Sequence, residues 1–217
     1  MTPASLTAHF RPHHLAGRYI VFEGDPGAGK TSVLRALRGS QQGLVLSEID
    51  HVADGLAEAG RPEITRWYLG AESARQPSVR KALQAGGSIV QDRSVLSTFA
   101  FAYAKDSGDS GELSSCVAQA ARLGPFILPD VLMILTVEPR VGRARRAYAS
   151  HRAEYGDWFE PTFLDRFHDF YCGLSGPGLA KRTARLDTTD LSLEEAVRRV
   201  LAELELSPIK PNAYDRL

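Results

Sequence analysis

Short apolar runs alternate with longer amphipathic segments along most of the chain. The apolar runs predict five strands, at Tyr19–Phe22, Leu44–Leu46, Ser88–Val90, Val131–Val137 and Ala184–Leu186. Helical patterns separate them, at Thr31–Leu37, Ile64–Ala74, Val79–Ala85, Ser97–Ala104, Leu113–Leu123, Arg140–Ala149, Thr162–Cys172 and Leu193–Leu204. This alternation predicts an α/β fold in which helices cover both faces of a five-stranded parallel sheet.

The two ends of the chain lack this alternation. Residues 1–17 are polar and contain no apolar core of a signal peptide, so we expect a flexible leader before the fold begins. Residues 18–206 have the length of a single domain, and residues 207–217 are expected to form a tail. No run approaches about 18 consecutive apolar residues, so no membrane-spanning segment is predicted.

The charge balance and the cysteine content limit which partners the protein is expected to bind and in which compartment it is expected to lie. Lys plus Arg and Asp plus Glu number 26 each, so no global field attracts nucleic acid or an anionic membrane surface. The two cysteines, Cys116 and Cys172, have no metal-ligand spacing and are expected as free thiols in a cytoplasmic protein. The histidines, His168 among them, show no spacing that suggests a metal site or a triad.

The first strand pattern leads into a loop, Gly24 to Thr31, that satisfies G-x-x-x-x-G-K-[ST]. Glycines let the backbone curl so that successive N–H groups face anionic oxygens, and the following helix presents its positive end there. Lys30 can neutralise the β- and γ-phosphates, and the Thr31 hydroxyl can ligate Mg²⁺. We therefore expect a nucleoside triphosphate to be held by Gly24, Asp25, Gly27, Ala28, Gly29, Lys30, Thr31 and Ser32.

A second acidic and basic pair follows the third strand pattern. Asp92 and Arg93 emerge at the carboxyl end of a predicted parallel strand, where open α/β sheets place their ligands. A carboxylate there can hold Mg²⁺ or take a proton, and the arginine can bridge phosphoryl oxygens. Taken alone, the pair fits a surface ion pair at a helix start equally well. Together with the loop it predicts catalytic Asp92 and Arg93, with Thr31 and Asp92 as metal ligands.

An arginine cluster follows the fourth strand pattern, in "EPRVGRARRAYASHRAEYGDWFE". Phosphoryl transfer spreads negative charge over equatorial oxygens, so guanidinium groups that close over the site stabilise the transition state. We expect a lid at about residues 143–160, with Arg143, Arg146 and Arg152 as its catalytic candidates. A solvated helix face dotted with arginines is the alternative explanation.

Four segments in order resemble the thymidylate kinase family: "FEGDPGAGKTS", "ALQAGGSIVQDRSVLSTFAFAY", "PDVLMILTVEPRVGRARRA" and "FLDRFHDFY". The resemblance covers roughly residues 18 to 204. It implies a three-layer P-loop kinase fold with an Arg-rich lid, ATP as phosphoryl donor with Mg²⁺, and a homodimer. It also implies that Arg93 contacts the acceptor phosphate, that Arg145 lies near the donor base, and that Asp25 lies on the acceptor or Mg²⁺ side. A turn-stabilising role for Asp25 fits equally well.

The chain departs from the family where thymidylate kinases contact the acceptor. Ser73 stands at the position of the arginine that contacts the pyrimidine, and Arg75 lies two positions on. Deoxynucleoside kinases, a sister group, carry E-R-S where this chain has Asp92-Arg93-Ser94. These kinases also use a glutamate after the second strand as general base, and Glu48 resembles that residue. The expected reaction is Mg-ATP-dependent phosphoryl transfer to a nucleoside monophosphate, with dTMP as the leading candidate. A neutral hydroxyl acceptor with catalytic Glu48, or a P-loop hydrolase or switch, remains as an alternative.

Overall fold

Strands and helices alternate along the chain as the hydrophobic pattern predicts. A computed structural model describes residue 6 and residues 9–37, 43–49, 61–106, 111–149, 160–174 and 178–204. The strands are β1 (Phe10–Arg11), β2 (Tyr19–Gly24), β3 (Gly43–Leu46), β4 (Ser88–Asp92), β5 (Phe126–Ile127), β6 (Val131–Thr136) and β7 (Arg182–Asp187). The helices are α1 (Lys30–Leu37), α2 (Arg61–Gln84), α3 (Val95–Lys105), α4 (Glu112–Arg122), α5 (Pro139–Ala149), α6 (Pro161–Gly173) and α7 (Leu193–Glu203).

The main sheet has five strands in the order β3-β4-β2-β6-β7, and every neighbouring pair is parallel. All six residues of the central strand β2 are buried, as expected where helices cover both faces of a parallel sheet. The edge strand β7 instead alternates between exposed and less exposed positions. The predicted five-stranded parallel sheet is confirmed, and β2, β4, β6 and β7 all end at the same edge of it.

Two hydrophobic cores lie on opposite faces of this sheet. One face of β2 contributes Val21 to a core shared with α2, α3, α4 and α6. The other face contributes Ile20 and Phe22 to a core shared with α1 and α7. Because successive residues of a strand point to opposite faces, one apolar strand supplies both cores. The result is the predicted three-layer arrangement of helices, sheet and helices.

The longest helix differs from the sequence prediction. Two separate helices were expected, at Ile64–Ala74 and Val79–Ala85, but α2 runs continuously from Arg61 to Gln84 with Pro77 inside it. Proline removes one backbone N–H and crowds the preceding turn, which is why it is read as a helix boundary. Here Leu69, Val79 and Leu83 are fully buried in the same core on both sides of the proline. Burial of one continuous face outweighs the local cost.

The N-terminal segment contributes a short strand that the hydrophobic pattern does not predict. Phe10 and Arg11 form β1, which pairs in parallel with β5 in a separate two-stranded sheet. Leu6 and Phe10 are buried in the larger core, and the Phe10 ring lies 6.3 Å from that of Phe126. This strand lies within residues 1–17, which were expected to form a flexible leader. A two-residue strand has no periodicity that a sequence pattern could reveal.

Some predicted segments lie outside the described residues. These are the tail at 207–217 and residues 150–159 of the expected lid, which include Arg152. Among the helices that the structure describes, none combines the length and apolar character needed to cross a membrane.

Candidate active site

The phosphate loop connects β2 to α1 at the carboxyl edge of the sheet, and its glycines are sterically required. Gly24 and Gly27 have φ angles of 122° and 81°, in the region that L-residues with a side chain rarely adopt. A Cβ on Gly24 would lie 1.9 Å from the carbonyl oxygen of Leu135 in β6. The loop therefore lies directly against β6, with its backbone free to curl around a phosphate chain.

Helix α5 packs against the same loop through a second glycine contact. A Cβ on Gly27 would lie 2.3 Å from the Gly142 carbonyl oxygen, and one on Gly142 would lie 2.6 Å from the Pro26 carbonyl oxygen. Gly142 sits in the first turns of α5, where its N–H donates to the Glu138 carbonyl at 2.9 Å. The arginine-bearing helix thus packs directly against the phosphate loop.

Lys30 is the first residue of α1, and its ammonium group is buried within the loop. Nζ donates to the Gly24 carbonyl at 2.9 Å and to the Asp25 carbonyl at 2.6 Å. Burial, and next the nearby Arg93 cation, lower the pKa of Lys30 to about 7. An anionic phosphate chain in the loop would supply the negative charge that these carbonyl dipoles only partly replace.

Thr31 and Asp92 lie side by side at the ends of the loop and of β4. The Thr31 hydroxyl donates to Oδ2 of Asp92 at 2.9 Å. Oδ1 of Asp92 is buried and has no hydrogen-bond partner among the described residues. Burial raises the pKa of this carboxyl group, although Arg93 and Lys30 oppose the shift. Mg²⁺ prefers hard oxygen ligands, so a hydroxyl beside an unsatisfied carboxylate oxygen fits that ion.

Arg93 has a left-handed backbone with φ of 62°, the only positive φ at a non-glycine residue in the part of the chain that the structure describes. Its N–H donates to the Phe22 carbonyl at 2.9 Å, and its own carbonyl accepts from Nε2 of Gln91 at 2.7 Å. The guanidinium Nε lies 2.5 Å from Oε1 of Glu48, and Nη1 donates to the Ser97 hydroxyl at 3.1 Å. Burial would lower the pKa of Arg93, but Glu48 and other nearby anions raise it overall.

Glu23 holds the start of α3 in place from the end of β2. This carboxylate is completely buried, and Oε1 accepts from both the N–H and the hydroxyl of Ser94 at 2.7 Å. Oε2 accepts at 2.7 Å from the hydroxyls of Ser97 and Tyr171. A buried carboxylate is tolerated when such donors surround it. Glu23 was not among the predicted site residues, because its partners lie far away in sequence.

A second buried network supports the strand end that carries Glu48. Gln91 accepts from the Tyr19 hydroxyl at 2.7 Å and donates to Glu72 at 3.0 Å. Arg75 donates to Glu72 at 3.1 Å and to the Ser47 carbonyl at 2.9 Å. Burial raises the pKa of Glu72 to about 7. Arg75 therefore links α2 to the residue that precedes Glu48.

Ser73, which aligns with the family's pyrimidine-contacting arginine, is directed toward the end of α4. Its hydroxyl donates to the carbonyl of Leu123, just beyond α4, at 3.4 Å. Of the two polar residues considered at this part of α2, Arg75 is the one directed toward the end of β3.

The arginines of α5 separate into different environments. Arg145 donates to the Thr188 and Thr189 carbonyls at 2.9 and 3.0 Å. It lines an open cleft of about 170 Å³ together with Ala28, Gly29, Ser32, Val33, Thr188, Leu191, Ser192, Leu193 and Ala196. Arg146 is half-buried, and burial followed by the Arg93 cation lowers its pKa. Arg143 is exposed.

Asp25 is directed toward helix α6. Its Oδ2 accepts from the N–H of Val137 at 2.9 Å and lies 2.6 Å from Nδ1 of His168. Nε2 of the same imidazole lies 3.2 Å from Sγ of Cys172. The sequence showed no partner spacing for His168, and the structure places its imidazole between Asp25 and Cys172. The pair of His168 and Cys172, four residues apart on one helix, was the sequence signal that could have revealed it.

The fold and this arrangement of loop, carboxylate and arginines define a P-loop kinase, an enzyme class that transfers a phosphoryl group from ATP. The chain belongs to the thymidylate kinase family. It is 31% identical over 156 residues to the thymidylate kinase of Limosilactobacillus fermentum, covering 60% of this chain and 68% of that one. It is 29% identical over 175 residues to that of Cutibacterium acnes, covering 71% of this chain and 83% of that one. No family model matches the chain.

Two solved structures share the fold. Thymidylate kinase from Candida albicans matches with a TM-score of 0.60 at 14% identity, over 87% of this chain and 91% of that one. Deoxyadenosine kinase from M. mycoides matches with a TM-score of 0.64 at 14% identity, over 86% and 98%. The shared architecture thus extends to enzymes named for different acceptors.

The lowered pKa of Lys30 predicts that triphosphate binding takes up a proton. The nucleotide-free group is largely neutral at pH 8.5, whereas bound phosphates raise its pKa and favour the ammonium form. Relative to a variant that stays charged at this position, we expect about one extra proton to be taken up at pH 8.5 and almost none at pH 6, where Lys30 is already protonated. Titration calorimetry of ATP in buffers with different ionisation enthalpies measures this number.

Lys30→Arg is the matched control for proton uptake, because arginine stays charged at both pH values. This variant should bind ATP without the uptake seen at pH 8.5. Equal uptake by wild type and Lys30→Arg would show that another group titrates.

Proposed function

We propose that the protein catalyses Mg²⁺- and ATP-dependent phosphoryl transfer to a nucleoside monophosphate, with dTMP as the leading acceptor. The observation that carries this proposal is the convergence of Lys30, the Thr31–Asp92 pair and Arg93 at one edge of the sheet. Nη1 of Arg93 donates to the Gly24 carbonyl at 3.3 Å, so the acceptor-side cation and the phosphate loop are in contact. Donor and acceptor phosphates would therefore meet here.

The donor half of the reaction rests on the loop and the cleft beside it. The loop amides and Lys30 bind the phosphate chain, with Ser32 at the start of α1. Arg145 and the residues after β7 border the cleft that would receive the donor base. Burial of Lys30 makes its interaction with phosphate stronger than it would be in water.

Thr31 and Asp92 would hold Mg²⁺, which neutralises developing charge on the phosphate oxygens when bound. The ion would satisfy the Asp92 oxygen that has no hydrogen-bond partner among the described residues. Asp92 stays ionised under such conditions, because a divalent cation opposes the effect of burial on its pKa.

Arg93 would bind the acceptor phosphate after exchanging its contact with Glu48. A phosphate is a dianionic, bidentate partner for a guanidinium group, so it competes well with one carboxylate oxygen. An acceptor phosphate is already ionised and needs no general base. The names of the curated relatives support dTMP as this acceptor. A homodimer, which the family resemblance implies, also belongs to this proposal.

One observation favours a second candidate, a neutral hydroxyl acceptor with Glu48 as general base. Glu48 is partly exposed, lies next to Arg93 and is attached to a strand end that Arg75 fixes. A carboxylate so placed can take the proton of an attacking hydroxyl. The two candidates differ in what Glu48 contributes to turnover.

An acceptor screen by ADP release separates these two functions. Wild-type protein should turn over dTMP far faster than thymidine, and Glu48→Gln should change the dTMP rate by less than about tenfold, because no proton transfer to Glu48 is needed. Lys30→Ala should lower kcat by on the order of 10³-fold while far-UV circular dichroism stays unchanged. Lys81→Ala, an exposed position on α2, is the matched control.

Turnover of thymidine but not dTMP, with a loss of about 10²-fold or more in Glu48→Gln, would establish the hydroxyl-acceptor candidate instead. Near-normal turnover in Lys30→Ala would contradict both.

The arginines of α5 should differ in their contribution to turnover. We assign Arg143, Arg146 and Arg152 to transition-state stabilisation, and Arg146 ranks first because Arg93 and Glu48 affect its pKa. Arg146→Ala should lower kcat by about 10²- to 10³-fold, and Arg143→Ala by less. Arg140→Ala, exposed on the first turn of the same helix, is the control. Steady-state kinetics in which Arg143→Ala is the more damaging change would reverse this ranking.

A further inference from the structure

Cys172, His168 and Asp25 form a hydrogen-bonded chain, and the proposed phosphoryl transfer assigns no role to Cys172 or His168. Sγ of Cys172 lies 3.2 Å from Nε2 of His168, and Nδ1 of the same ring lies 2.6 Å from Oδ2 of Asp25. The thiol is exposed, the imidazole is partly buried and the carboxylate is buried. The order is that of a nucleophile, a base and the group that orients the base.

Asp25 is fixed firmly enough to set the state of the imidazole. Its Oδ2 also accepts from the N–H of Val137 at 2.9 Å, which anchors the carboxylate to the end of β6. Its Oδ1 is buried without a hydrogen-bond partner among the described residues, so His168 is the side chain that balances its charge. A carboxylate at Nδ1 keeps a proton on that nitrogen, and Nε2 is then directed at the thiol as acceptor.

We propose that Cys172 is a nucleophilic thiol that undergoes exchange with small disulfides, with His168 as its general base and Asp25 as the residue that orients this base. Sγ attacks one sulfur of the disulfide while its proton passes to Nε2 of His168. The S–S bond of the reagent breaks, a new S–S bond to Cys172 forms, and the other half of the reagent leaves as a thiolate while His168 releases the proton to solvent. No oxidant is needed beyond the disulfide itself.

The surroundings of Cys172 and His168 raise the pKa values of both side chains. The hydrogen bond that Nδ1–H of His168 donates to Asp25 raises the pKa of His168 despite partial burial, and Asp169 and Asp187 act in the same direction. Burial first, and next Asp25, raise the pKa of the Cys172 thiol, while Arg185 opposes them. The resting thiol is therefore protonated, and nucleophilic attack depends on proton transfer to His168 rather than on a preformed thiolate.

The second cysteine provides an internal contrast. Cys116 is buried in the larger core, and burial raises the pKa of its thiol to about 12. Among the described residues no base is seen in contact with its thiol, and its burial prevents access of a reagent. Only Cys172 should therefore react in the folded protein.

Dithiobis-nitrobenzoate, an aromatic disulfide that releases a coloured thiolate, tests the proposal. The native protein should release one equivalent quickly, and the second only after unfolding, and Cys172→Ser should remove the fast phase. His168→Gln should slow the fast phase at pH 7 by about 10²-fold, since the general base is lost. Asp165→Asn, exposed on the same helix, is the matched control and should react like wild type.

The pH dependence separates base catalysis from simple exposure. In wild type the rate should rise through the pKa of His168, above its ordinary value of 6.5, and then level off. In His168→Gln it should keep rising with pH toward the pKa of the thiol. Equal or faster exchange in His168→Gln, or identical pH profiles, would overturn the proposal and leave Cys172 an ordinary surface thiol.

Discussion

The active site depends on the left-handed backbone of Arg93. A positive φ at a residue with a side chain costs about 1–3 kcal/mol, and it persists only where surrounding contacts over-determine it. Here the Phe22 carbonyl and the Gln91 side chain fix both backbone groups of Arg93. This turn lets β4 end on Asp92 beside Thr31 and lets α3 begin at Ser94 over Glu23. The proposed metal ligand, the proposed acceptor-binding cation and the start of α3 are therefore positioned by one residue.

Hydrogen bonds to two buried carboxylates hold the elements around this turn in place. Glu23 collects donors from the start of α3 and from α6, whereas Glu72 connects α2 to Gln91 and, through Arg75, to the end of β3. Each would be costly to bury alone and is tolerated because several donors surround it. Such networks specify one arrangement of the elements that meet at the phosphate loop.

The parts of this architecture that sequence reasoning predicted are those with a local signal. The parallel sheet follows from alternating apolar and amphipathic segments, and the loop from Gly24 to Thr31 follows from its own spacing. The buried hydrogen bonds that hold the site together could not be predicted in this way. The hydrogen bond from Tyr171 to Glu23 spans 148 positions, and that between His168 and Asp25 spans 143. Sheet order and helix packing create these pairs, and a single sequence carries no periodic trace of them. The two-residue strand at Phe10 was missed because it is too short to show periodicity and its partner, Phe126, lies far along the chain.

The dependence of the site on the backbone of Arg93 is tested most directly by comparing Arg93→Gly with Arg93→Ala, by urea denaturation and by kinase assay. Both changes remove the guanidinium group, so they differ in whether the residue tolerates a φ of 62°. The account predicts that the glycine variant has a free energy of unfolding about 1 kcal/mol higher than the alanine variant, and that both lose at least about 10²-fold in turnover. An alanine variant as stable as the glycine variant, or either variant with near-normal turnover, would contradict it.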